Sequence, residues 1–163
     1  MSETGDRDGG AQPCRRQFLC VLGAAAGALA LGSEGCGGPS TAPFTAGNAA
    51  DHPVGTFRMF SGNGTIIGRD AAGFYAYSTS CTHQGVAIDF SSGTSCSTVA
   101  GCSSQSTTGT TTCAAHGSRF DGTGAVIQGP ARTALEHFKL TIVGGVLNVD
   151  PTAVVAAATR VAV

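Results

Sequence analysis

The 163 residues carry few charges, 12% of the chain, against 25 glycines and no tryptophan. That composition argues against a helical bundle, and the length allows one domain with extensions. The net charge is −1, and from residue 37 onward six basic and six acidic side chains cancel. No basic patch stands out, so no nucleic-acid partner is expected.

Met1 to Pro13 is polar and glycine-rich and reads as a leader. Arg15-Arg16-Gln17-Phe18-Leu19 resembles a twin-arginine export signal, and Phe18 to Gly32 is fifteen residues without a charge. Such a run suits the apolar region of a signal peptide and is short for a membrane span of about 20 residues. Cys36, preceded by Gly35, resembles a bacterial lipoprotein site, although Ser33 and Glu34 stand where an aliphatic and a small residue are usual. Residues 1–36 are therefore read as an export signal with a possible lipid anchor, with simple cleavage or an uncleaved anchor as the alternatives. Cys14 and Cys20 flank the signal and are expected to have no role in the mature domain.

Residues 37–50 have the composition of a flexible linker, which leaves 51–163 as the folded domain. Within it short strands alternate with turn signals. Val54 to Phe60 and Thr65 to Gly68 flank Ser61-Gly62-Asn63-Gly64 and predict a hairpin. Phe74 to Ser78 predicts a third strand leading into Cys81, and Val86 to Phe90 a fourth. Residues 91–112 are mostly Ser, Thr and Gly, with little to bury, and read as an exposed insertion loop. Cys96 and Cys102 lie inside it and are expected to pair, as nearby cysteines of an exported protein do. Ala125 to Ile127 gives a short strand, and Phe138 to Val143 with Val146 to Val149 a last hairpin around Gly144-Gly145. Residues 151–163 leave a short helix or an edge strand open. The expected class is all-β and antiparallel, small enough that its core is marginal unaided.

Two stretches carry the chemistry: Cys81-Thr82-His83-Gln84-Gly85 and Cys113-Ala114-Ala115-His116-Gly117-Ser118-Arg119-Phe120-Asp121. Each offers one thiolate and one imidazole before a glycine. Two sulfurs and two nitrogens suit tetrahedral zinc, or a two-iron cluster in which one iron takes both Cys and the other both His. Spacing does not choose between them. The flanking residues do: Cys-Thr-His-x-Gly, then Cys-x-x-His-Gly-Ser-x-Phe-Asp, then Gly122, Gly124, Val126 and Gly129-Pro130-Ala131 closely resemble the Rieske iron–sulfur family over roughly residues 54–149.

The resemblance implies stacked antiparallel sheets with a small cluster-binding subdomain at one tip. It implies a Rieske-type 2Fe–2S cluster held by Cys81, His83, Cys113 and His116, with the thiolates on the inner iron and the imidazoles on the outer one. Gly129-Pro130 would cover the cluster from a third side, and Ser118 would donate a hydrogen bond to a cluster sulfur. Imidazole in place of two thiolates raises the potential, and a histidine near neutrality can couple one electron to one proton. Two departures stand against membership in a quinol:cytochrome complex. Phe120 occupies a position where a tyrosine often bonds a ligand cysteine, and Val86 and Ala115 occupy the positions of a bracing disulfide. The expected function is an exported, membrane-tethered carrier of single electrons at the periplasmic face, serving a redox partner protein. That partner would be a protein, a quinol or a cytochrome; the rivals are an iron–sulfur subunit of a quinol oxidase (cytochrome bc-type) or of another periplasmic oxidoreductase complex, and a zinc-binding structural module.

Overall fold

A computed structural model describes residues 39–163. The twin-arginine stretch, the apolar run after it, and Cys14, Cys20 and Cys36 lie outside the described residues.

Twelve strands form two antiparallel sheets among the described residues. Eight strands make the larger sheet, in the order β1 (Phe44–Asn48), β12 (Val146–Val155), β11 (His137–Val143), β4 (Gly73–Ser78), β3 (Thr65–Asp70), β2 (Thr56–Phe60), β7 (Ser104–Ser106) and β6 (Thr94–Ser95). The smaller sheet runs β10 (Val126–Gln128), β9 (Arg119–Phe120), β8 (Thr111–Cys113) and β5 (Ile88–Phe90).

The larger sheet is buried on both faces at its centre. Every residue of β4 is buried, which is why Gly-Phe-Tyr-Ala-Tyr-Ser reads as a nearly unbroken apolar run rather than an alternation. Successive residues feed opposite cores. Phe74, Ala76 and Ile67 join Phe60, Phe138, Leu140, Leu147 and Val149 on one face. Tyr75, Tyr77, Ile66 and Met59 join Cys81, Ile88, Cys113, Phe120 and Leu135 on the other. The second core therefore lies between the large sheet and the small one and contains both motif thiols.

Two sequence expectations need correction. The linker does not extend to residue 50: the Ser40 N–H already donates to Gly62 O, and β1 pairs with β12 through Phe44↔Val149 and Thr45↔Asn148. Backbone pairing makes this edge strand, and Phe44 packing on Phe60 at 5.5 Å between ring centroids fastens it. Nor is 91–112 simply an exposed loop, since β6, β7 and the start of β8 fall within it. It is ordered by backbone pairing and hydroxyl bonds rather than by apolar burial. β7 pairs with β2 through Phe57↔Ser106, Arg58↔Gln105 and Met59↔Ser104. Ser103 Oγ donates to Met59 O at 3.0 Å, and Ser106 Oγ accepts the N–H groups of Thr108 and Gly109. Cys96 and Cys102 are disulfide-bonded, with Cα atoms 5.6 Å apart, and Val99 between them is buried in the first core. At the C-terminus the open choice falls to strand: β12 runs on to Val155, and Val161 bridges Phe74.

Candidate metal centre

The two motifs fold into the same five-residue turn. Gly85 N–H donates to Cys81 O at 2.7 Å, and Gly117 N–H to Cys113 O at 2.9 Å. Each cysteine's own N–H then donates five residues ahead, Cys81 to Val86 O and Cys113 to Ser118 O. Closing such a turn puts the fifth residue in the left-handed region, and Gly85 and Gly117 have φ of 70° and 75°. Space is not what demands glycine here, since a Cβ would meet nothing nearer than 3.8 Å at either position. The repeat explains the spacing in the sequence: glycine follows cysteine by four in both motifs, while histidine sits at the third place in one and the fourth in the other.

Both thiols are free and 1% exposed. Burial pushes the Cys81 thiol up, but hydrogen bonds from the His83 backbone, the Cys113 thiol, the Ser118 hydroxyl and the Gln84 backbone outweigh it, so its pKa falls below the ordinary thiol value. The two imidazoles lie farther out, His83 half-buried and His116 exposed. Their ring centroids are 4.9 Å apart, with the planes at 89°. His83 Nδ1 is buried and has no hydrogen-bond partner. A buried ring nitrogen is normally paired, so this orphan beside a second imidazole is the kind of lone pair a metal takes. Among the described residues no three His, Cys, Asp or Glu side chains converge on one metal position. The two sulfurs are buried and the two rings lie nearer the surface, a division that two metals, one on each pair, would accommodate.

A third loop, 128–133, is tied to both turns. Ser118 Oγ, fully buried, accepts the Ala131 N–H at 3.0 Å while contacting Cys81. Thr82 Oγ1 donates to Thr133 O at 2.6 Å, and Gln128 Nε2 to Gly117 O at 3.2 Å. Gly129 and Pro130 are exposed between these ties. Sequence reasoning placed Ser118, Gly129 and Pro130 around the cluster but missed Thr82, Gln128 and Thr133. Thr82, lying between two motif residues, was the one that carried a signal. Phe120, 0% exposed, packs in the core that holds both thiols, whereas Val86 and Ala115 are exposed.

Residues 44–139 match the family described as Rieske [2Fe-2S] domain. A cytochrome b6-f complex iron-sulfur subunit of Parasynechococcus marenigrum (strain WH8102) is 31% identical over 148 residues, covering 74% of this chain and 75% of its own. The subunit of the same description in Synechococcus sp. (strain CC9605) is 29% identical, covering 82% and 69%. A solved structure, the plasma membrane Rieske protein PetC3 from Synechocystis PCC 6803, is similar at 21% identity and a TM-score of 0.40, over 65% of this chain and 97% of that one. The chain belongs to the Rieske [2Fe-2S] domain family, and its cofactor is a Rieske-type 2Fe–2S cluster.

Proposed function

We propose that this protein is an exported, membrane-tethered carrier of single electrons, with Cys81 and Cys113 on the inner iron and His83 and His116 on the outer one. The observation that carries the ligand assignment is the buried, unpartnered Nδ1 of His83, set beside His116 and outward of two free, buried thiols. When bound, the cluster supplies one-electron redox chemistry. The residues do the rest. The thiols, deep in the second core, keep the inner side dry. A His83 bound through Nδ1 keeps Nε2 for a proton, so that electron and proton can leave from the same surface. The ties from Thr82, Ser118 and Gln128 hold the three loops in one geometry, as outer-sphere groups do for metal ligands.

The relatives named as b6-f subunits favour a second reading, an iron–sulfur subunit of a cytochrome complex oxidising quinol. Against it stand Val86 and Ala115, which leave no cysteine to brace the loops. Export rests on Arg15-Arg16 and the uncharged run behind them. That route carries folded proteins, which suits a cluster built in the reducing cytoplasm, and Cys36 offers the tether.

Anaerobic purification with membranes, followed by iron and sulfide analysis and EPR with and without quinol, tests the readings together. Two irons and two sulfides are expected, lost on replacing any one of the four ligands; stoichiometric zinc in a colourless protein would sink the assignment. Reduction by quinol with copurifying subunits would select the second reading. An Arg15→Lys, Arg16→Lys variant should remain in the cytoplasm with its cluster intact, and its normal appearance outside would contradict the export route.

A further inference from the structure

Arg58 is a charge in the wrong place for a structural residue. It sits on β2 between Phe57 and Met59, which feed the second core, so its side chain shares the opposite face with Phe60. It is 5% exposed, and both Nε and Nη1 are buried without a hydrogen-bond partner. The only ion pair among the described residues is Arg160 with Asp70. Asp51 is close enough for its charge to act on Arg58, but its carboxylate accepts from Asn48 Nδ2 at 3.3 Å instead. A buried guanidinium with no counter-charge in contact is strongly unfavourable, and a planar fork of donors is matched best by an oxyanion.

Arg58 lines a cavity of about 580 Å³ between β2 and the segment 92–107, where Pro53 and other apolar surface share the wall with polar side chains. Thr94 and Thr98 contribute hydroxyls, the Thr56 hydroxyl already donates to Pro53 O at 2.6 Å, and Gln105 stands directly across the strand pair from Arg58. No carboxylate lines it, and none of the cluster loops reaches it. We infer that this cavity is a binding site for one oxyanion, a phosphate or a carboxylate group held on the Arg58 guanidinium with the Thr94 and Thr98 hydroxyls beside it. The Ser/Thr-rich segment that lengthens the interval between the two motifs is then the lid of this site. Its composition follows from that role, since hydroxyls can donate to an anion and aliphatic side chains cannot.

The cluster-loaded full chain, in chloride buffer of fixed ionic strength, is titrated calorimetrically with inorganic phosphate, sulfate and acetate, and its thermal midpoint is followed in each. One-to-one binding is expected, with a midpoint that climbs as the ligand exceeds its dissociation constant. Response to phosphate and sulfate alone assigns the site to phosphoryl-type groups, and response to acetate as well assigns it to a carboxylate. Arg58→Met should lose the response while keeping the EPR signal of the cluster. Gln105→Glu places a carboxylate opposite Arg58 on the same face. It should raise the midpoint in chloride alone and abolish the phosphate response, a result available even if Arg58→Met does not fold. No binding of any oxyanion over chloride, or an undiminished phosphate response in Gln105→Glu, overturns the proposal.

Discussion

Ser118→Ala separates two roles that a single hydroxyl performs. Its Oγ accepts the Ala131 N–H at 3.0 Å and contacts Cys81, at a residue with no exposure. As an acceptor it holds the third loop; as a donor toward sulfur it acts on the redox equilibrium. Sulfur bonded to iron carries more negative charge in the reduced cluster, so a donor aimed at it stabilises that form more. If the difference is about 1 kcal/mol, the midpoint should fall by roughly 40 mV, since 59 mV is tenfold for one electron. Leaving the Ala131 N–H unpaired should separately cost about 1–3 kcal/mol of stability. Protein-film voltammetry at fixed pH reads the first effect and thermal unfolding the second. Lost stability with an unchanged midpoint would refute the donor role and leave Ser118 as a loop tie alone. Phe120→Tyr is the opposite perturbation, adding a hydroxyl in the core that holds both thiols. It should raise the midpoint by a similar amount, and a lowered or unmoved value would show that the hydroxyl does not reach sulfur.

Opening the Cys96–Cys102 disulfide, in a Cys96→Ser, Cys102→Ser variant, should cost about 2 kcal/mol for so short a loop; equal denaturation midpoints would contradict this. Acid should also destabilise the fold. The pKa values of His52 and His137 lie below the ordinary histidine value, chiefly through burial, and His137 Nδ1 has no partner to receive a proton. The unfolded chain binds protons that the folded one refuses. Stability is therefore full above the unfolded pKa of about 6.5 and falls below it, by up to about 1.4 kcal/mol per pH unit for each histidine until the folded pKa is reached. A melting temperature that stays flat between about pH 7 and about pH 5 would remove this coupling.

The two motif turns were legible because their information is local. Cys81 to Gly85 and Cys113 to Gly117 each specify one turn, and a turn needs only its own five residues. The hairpins β2–β3 and β11–β12 were legible for the same reason, with Gly62-Asn63-Gly64 and Gly144-Gly145 marking their reversals. What escaped was pairing between distant segments of unremarkable composition. β1 offers Phe44 and Ala46 and little else to bury, yet an edge strand needs only free backbone on its neighbour. β7 is Ser-Gln-Ser, a strand whose stabilising groups are β2 carbonyls and N–H groups nearly fifty residues earlier. Composition measures what a segment can bury, and these segments are held by hydrogen bonds. Arg58 was hidden differently: it alternates with Phe57 and Met59 along β2, and its burial depends on Pro53 and the segment 92–107, which lie far from it in pattern if not in space.

That covering segment also settles how the large sheet ends. The final strand, β6, is two exposed residues, Thr94–Ser95, followed at once by the Cys96–Cys102 link. A longer, flatter strand here would offer a ladder of unpaired amides to any neighbouring molecule. The two-residue strand turned back by a covalent loop offers almost none. At the opposite border, β1 shifts register between Thr45 and Asn48 and gives a second chain no regular template. Protection from edge-to-edge aggregation is thereby written into both borders.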